Sequence, residues 1–385
     1  MVIERNGSLV VQADRLVLPD GMRGPGFVVI EGGQITDVGE GRHARPDLDA
    51  ADQVLAPGFV DLQVNGAAGC DFLAPTEAGL EAAHAYLLRT GTVAYLPTLI
   101  SAPDDRLRPA LAFFAERMRR RTAPRILGVH LEGPFLSPAR PGAHRSEHLR
   151  RPSVDWIAGI MREFPGVIRL VTLAPELDGA AEVVEHLASR GIAVSAGHTD
   201  ATYSQATAAF DRGVRLATHL FNAMRPYHHR EPGIVGAALL RGDVACSVIA
   251  DQIHLHPAVI EHVLALKGPE RTILVTDAIS AAGASRPEVT LGDRMVRVVD
   301  GAPRLDDGTL AGSILTMDQA VRNVAAAAGE LDRAMRMASA TPSRLLGLDQ
   351  GELRPGLRAD LVLLGHDLRV TAAVVGGAIA YRSGA

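Results

Sequence analysis

Eight short apolar runs recur through the middle of the chain, most of them followed by a stretch of helical periodicity, at residues 59–64, 93–99, 126–131, 167–173, 192–196, 215–219, 245–250 and 272–276. A strand with one wet face alternates apolar and polar residues. A run that is apolar almost throughout belongs to a parallel strand covered on both faces. The covering helices are predicted between the runs, at 77–89, 107–120, 180–190, 203–211 and 257–266. Eight strands with interleaved helices favour a closed (β/α)8 TIM barrel, an α/β fold, over an open doubly wound sheet.

Both ends of the chain have a different texture. Short β-type runs at 9–11, 27–30 and 35–38 are separated by Gly and Pro, and the style returns at 361–364, 373–375 and 378–381. This pattern predicts a small β-sandwich domain formed by residues 1–56 and 356–385, with the barrel occupying 57–355. After the eighth run come a predicted hairpin at 289–299, a polar loop ending at 312, and helices near 317–328 and 331–346.

A net charge of −5 offers no basic field for nucleic acid, so the arginines within 117–125 read as a solvated helix end. Cys70 and Cys246 are too few for a disulfide framework. No apolar run is long enough to span a bilayer, and the start lacks a secretory pattern, so the expectation is a cytoplasmic protein with neither membrane nor nucleic-acid partner. Lys267 is the only lysine and precedes Gly268-Pro269, which reads as a helix end with a favourably placed charge.

Polar residues fall where the apolar runs stop. The first run ends in Gln63-Val-Asn65, the third in His130-Leu-Glu132, the fifth in Gly197-His198, and the sixth in Thr218-His219. The seventh runs out through Asp251-Gln-Ile-His254 and the eighth ends in Thr276-Asp277. In such a barrel the strand C-termini form the catalytic rim. A lone histidine after a strand is commonly a hydrogen-bonded structural residue, and a lone aspartate commonly caps the next helix. Several on one rim weigh differently, because ionisable groups beside apolar strands need partners or a metal. Glu132, His198 and His219 together offer one carboxylate and two imidazoles, a set suited to a catalytic divalent ion.

The chain resembles the N-acetylglucosamine-6-phosphate deacetylases of the amidohydrolase superfamily. The resemblance rests on PGFVDLQVNG (57–66), HLEGPF (130–135), PGAH (141–144), AGHT (196–199), THLFNAM (218–224), REPG (230–233), VTDA (275–278) and DGTLAGS (307–313), which follow one another in family order. It implies Glu132, His198 and His219 as ligands of one divalent metal per subunit, zinc first, with iron(II), manganese or cobalt also fitting. It implies Asp277 as catalytic acid/base, with His144 polarising the amide carbonyl. Ala143, His144, Asn222, Ala223, Arg230, Asp251, His254, Leu310, Ala311 and Gly312 would contact a phosphorylated N-acetyl amino sugar, and the assembly would be a homodimer. Two departures stand out: Gln63-Val-Asn65 occupies the place of a His-x-His pair, and Gln252 replaces the glycine of a common DG-x-H segment. Neutral amides are poor zinc ligands, so a single tightly held metal is expected.

The chemistry so implied is metal-assisted attack of water on an acetyl carbonyl, with Asp277 moving the proton. Three alternatives remain at this level: the epimeric N-acetylgalactosamine 6-phosphate, another amidohydrolase activity such as N-acyl amino acid hydrolysis, and a catalytically silent scaffold. Arg230 weighs against the second, and the intact metal set with Asp277 weighs against the third.

Overall fold

The eight predicted runs form one parallel sheet in a computed structural model that describes residues 8–120 and 122–384. Its strands are Phe59–Val64, Thr92–Ile100, Val129–Glu132, Ile168–Leu173, Ala193–Ala196, Leu216–Ala217, Ala245–Val248 and Thr272–Leu274, hydrogen-bonded in that order. The barrel closes where Val64 bridges Ala278 in parallel, with Asn65 N–H donating to Ala278 O at 2.7 Å and Asp277 N–H to Gln63 O at 2.9 Å.

Several strands are shorter than the sequence suggests. The third is broken by Gly128 at φ 144°, which separates Arg125–Ile126 from Val129–Glu132. The sixth stops at Ala217 because His219 adopts φ 32°, outside the extended range.

The predicted helices are present, and their ends are set by local chemistry. Thr76 accepts from Gly79 N–H at the start of Glu77–Arg89, and a Thr202–Gln205 capping box opens Tyr203–Arg212. Two helices escaped prediction. Gly233–Leu240 is apolar on every side and buried along most of its length, so its sequence carries no 3.6-residue signal. Val154–Glu163 carries only two fully buried positions, Ile157 and Ile160.

The two chain ends meet in one mixed sheet of eight strands. Leu9–Leu18 lies between Gly26–Glu31 and Leu48–Pro57, and Leu48–Pro57 pairs in turn with Leu361–Leu364. The sheet curls until the turn at Gly33 faces Gly376 and Gly377, where an added Cβ would meet backbone at 2.9–3.1 Å. Val11, Val28, Ile35, Leu55, Leu361 and Val374 fill the concavity, a core separate from the one around the barrel. Residues 288–304 extend the predicted hairpin to three strands.

The arginines of 117–125 are not simply a solvated helix end. Arg117 is buried and pairs with Glu77, and Arg125 donates to Gln350 and lies near Asp360. Lys267 closes its helix as expected, and its buried ammonium donates to the carbonyls of Ala238 and Arg241.

Candidate active site

Short strands explain how the site residues converge. Glu132 is the last paired residue of its strand, His198 and His219 sit two positions past the last pairing of theirs, and Asp277 sits three past. Among non-glycine residues, His198 (φ 47°), His219 (φ 32°), Ala223 (φ 48°), Gln252 (φ 66°) and Asp277 (φ 50°) all occupy the left-handed region. Such conformations persist only where surrounding structure fixes them, and they concentrate at functional sites.

Glu132, His198 and His219 are buried, and their nearest ligand atoms lie within 4.8 Å of one another. Glu132 Oε1 stands 3.1 Å from His219 Nε2 and 3.3 Å from His198 Nε2, and the two imidazole nitrogens are 3.2 Å apart. His198 Nδ1 is 3.1 Å from Arg140 O, which places the ring proton on that side and leaves Nε2 as a lone-pair donor. Burial works against the charge on Glu132, yet the imidazoles of His144, His198 and His219 around it hold its carboxyl well below the usual range. Burial lowers the pKa of His198, whereas for His219 the same burial is outweighed by Glu132 and the net direction is upward. An acceptor-rich, desolvated cluster of this kind matches the donor set of a catalytic divalent-metal site, and the residues fit such an ion.

Asp277 faces this cluster from the eighth strand. Its Oδ1 accepts from Asn65 Nδ2 at 2.7 Å. Burial, with the Glu132 charge adding to it, raises its carboxyl from 3.8 to about 6. His144 lies on the other side, Nε2 3.7 Å from Glu132 Oε2. Its Nδ1 accepts from Ser101 N–H at 3.2 Å, so the proton sits on Nε2 and points into the site.

The remaining expected residues divide. A Cβ on Gly142 would lie 2.9 Å from the His198 ring and 3.6 Å from Ala223 Cβ, so the loop carrying Ala143 and the turn carrying Ala223 both abut the cluster. His254 Nδ1 is bound to Asp251 Oδ2 at 2.7 Å. Ala311 is buried and Gly312 packs on the Asp277 carbonyl, with Leu310 half-buried beside them. Asn222 turns back to the carbonyls of His219 and Leu220. Arg230 stands apart, exposed, its guanidinium 2.9 Å from His229 Nε2. His130 is not part of the cluster: it is held by Thr172 Oγ1 at 2.8 Å, and burial lowers it to about 4.

Sequence reasoning undervalued Gln63 and Asn65. They are the donors that fix the two carboxylates: Gln63 Nε2 binds Glu132 Oε1 at 2.8 Å, as Asn65 binds Asp277. The readable signal is a stripe of period two, Asp61, Gln63 and Asn65, along an otherwise apolar strand. Ser101, beside His144, had no such signal.

Fold and site together define an α/β barrel that carries, among the described residues, one buried cluster of metal-type ligands at its rim. The amidohydrolase family model matches residues 54–380. An N-acetylglucosamine-6-phosphate deacetylase of Lysinibacillus sphaericus is 33% identical, with 97% of each chain covered. An N-acetylgalactosamine-6-phosphate deacetylase of Escherichia coli O157:H7 is 36% identical, covering 85% of this chain and 88% of the relative. A solved structure of a mutant Mycobacterium smegmatis N-acetyl-D-glucosamine-6-phosphate deacetylase, in complex with N-acetyl-D-glucosamine-6-phosphate, superposes with a TM-score of 0.93 at 36% identity, over 97% of this chain and 99% of that one. The chain belongs to the amidohydrolase family, in the group of the N-acetylglucosamine-6-phosphate deacetylases.

Proposed function

We propose that this protein hydrolyses the acetamide of N-acetyl-D-glucosamine 6-phosphate to D-glucosamine 6-phosphate and acetate, a step of amino-sugar catabolism. The observation that carries the reading is the buried Glu132–His198–His219 cluster with Asp277 facing it, in a chain matched along nearly its whole length by deacetylases. Glu132, His198 and His219 would hold one divalent ion per subunit. Two imidazoles and one carboxylate favour zinc, with iron(II), manganese and cobalt as alternatives. When bound, the ion supplies Lewis acidity and makes water nucleophilic near neutral pH.

The chain's own groups do the rest. Oδ1 of Asp277 is occupied by Asn65, so Oδ2 is the oxygen that takes the proton of the attacking water. The same oxygen returns that proton to the sugar nitrogen as the C–N bond breaks, and the acyl carbon leaves as acetate. His144 Nε2–H donates to the carbonyl oxygen as negative charge develops there. His254, braced by Asp251, with Asn222, Ala223, Ala143 and the 310–312 loop, forms the sugar-phosphate seat. Arg230, whose guanidinium is open to solvent, is the anion anchor.

A homodimer is proposed as the assembly, supported by the exposed apolar side chains of Tyr227 and Leu240. Two separate hydrophobic cores support dividing the chain into 1–56 with 356–385, and 57–355. A cytoplasmic location is proposed as well. Among the described residues no helix is long and apolar enough to cross a membrane.

The E. coli relative keeps N-acetylgalactosamine 6-phosphate as the second reading. The test is kcat/KM for the two epimeric 6-phosphates and the unphosphorylated sugar, with bound metal quantified. A preference for the gluco epimer is expected. Hydrolysis of neither with any divalent ion overturns the proposal.

A further inference from the structure

Asp61 is a fully buried carboxyl, and the reaction as described leaves it without a task. It lies below the rim on the first barrel strand, at the seam with the eighth. Its Oδ2 accepts from Thr276 Oγ1 at 2.6 Å, and its Oδ1 accepts from Gln63 N–H at 3.2 Å and Thr276 N–H at 3.3 Å. All three partners donate to it, and their hydrogen bonds offset only part of the burial that pushes its carboxyl up to about 7.

Thr276 passes the constraint on. Its single hydroxyl proton goes to Asp61, and its oxygen lone pair accepts from Ala278 N–H at 3.2 Å. The chain Asp61–Thr276–Ala278 therefore straddles Asp277, whose φ of 50° is unfavourable for a non-glycine residue. Three further bonds share the seam: Asp277 N–H to Gln63 O, Ser313 N–H to Asp277 O at 2.8 Å, and Ser313 Oγ to Thr276 O. None of these grips the Asp277 carboxyl itself. They fix the backbone that aims it, while Asn65 fixes one of its oxygens.

We propose that Asp61 and Thr276 are positioning residues for Asp277, holding its turn in the left-handed conformation that directs the carboxyl at the scissile amide. A structural brace between two strands would only keep the barrel closed. A positioning pair also sets the geometry of proton transfer, where a misplacement of about 1 Å costs on the order of a hundredfold in rate. The inference rests on Asp277 being the acid/base of the proposed deacetylation.

The test compares Thr276→Val, Thr276→Ser and Asp61→Asn with the unaltered holoenzyme. Each is assayed for kcat and KM on N-acetylglucosamine 6-phosphate, with melting temperature and metal content measured on the same samples. Thr276→Val keeps the shape and removes the hydroxyl. It is expected to lower kcat at least tenfold with KM within about twofold and metal content unchanged, whereas Thr276→Ser retains most of kcat. Asp61→Asn should follow Thr276→Val where it folds, and Thr276→Val decides the matter where it does not. Unaltered kcat in Thr276→Val, or a loss accounted for by reduced folded or metal-loaded fraction, overturns the positioning role alone. An unaltered enzyme that hydrolyses no acetylated amino-sugar phosphate overturns the proposed function, and this inference with it.

Discussion

Replacing Asp277 by Asn separates two consequences of one buried carboxyl. Asparagine keeps the Oδ1 that accepts from Asn65 Nδ2 at 2.7 Å, and it loses the oxygen able to take a proton. General acid–base catalysis contributes about 10²- to 10⁴-fold, so turnover should fall by that factor with metal binding retained. Stability should move the other way. Because burial raises the folded-state pKa from 3.8 to about 6, the ionised carboxylate opposes folding above that pH by on the order of 3 kcal/mol in metal-free protein. The sign follows from linkage: the unfolded carboxyl gives up its proton first, so the penalty is complete above about pH 6 and gone below 3.8. Metal-free Asp277→Asn should thus be the more stable protein at pH 8, with the difference fading toward pH 4. A bound dication favours the ionised carboxylate and should shrink the gain. Denaturant melts of both proteins at the two pH values, with and without metal, beside an acetate-release assay, read all of this. Near-normal turnover would remove Asp277 from the chemistry, and equal metal-free stability at pH 8 would remove the burial argument.

Gly312→Ala should lose most activity, because at φ 64° its Cβ would fall 2.7 Å from the Asp277 carbonyl oxygen; kcat at matched metal loading checks this. Lys267→Met should cost about 2–3 kcal/mol in chemical denaturation by stranding the Ala238 and Arg241 carbonyls, with kcat per folded molecule unchanged. His84, buried against Tyr95 Oη at 2.9 Å, has its pKa lowered by burial from 6.5 to about 4. It should therefore stabilise fully above pH 6.5 and lose on the order of 3 kcal/mol as pH falls toward 4, a slope that His84→Gln should flatten in a pH series of melts.

The barrel was legible because burial on both faces leaves a distinctive record: runs such as Val93–Leu99 admit few other readings. The metal set was legible because Glu132, His198 and His219 each lie at or just past the end of such a run. Gly233–Leu240 was not, since a helix buried all round erases its own period. Gln63 and Asn65 were recognised as poor ligands, but their partners sit 69 and 212 residues away, beyond any local pattern.

The pairing of Leu48–Pro57 with Leu361–Leu364 also bears on how the chain reaches its fold. During synthesis the early strands emerge first, and the edge that shields them arrives some three hundred residues later. Until then, the apolar face of Leu55 and its neighbours has no cover on that side. Loop closure of this span is slow, and exposed strand edges invite association. A ribosome-bound intermediate should therefore depend on chaperones until its last strands appear, even with the barrel essentially complete. The satellite sheet can thus close only when Leu361–Leu364 has been made.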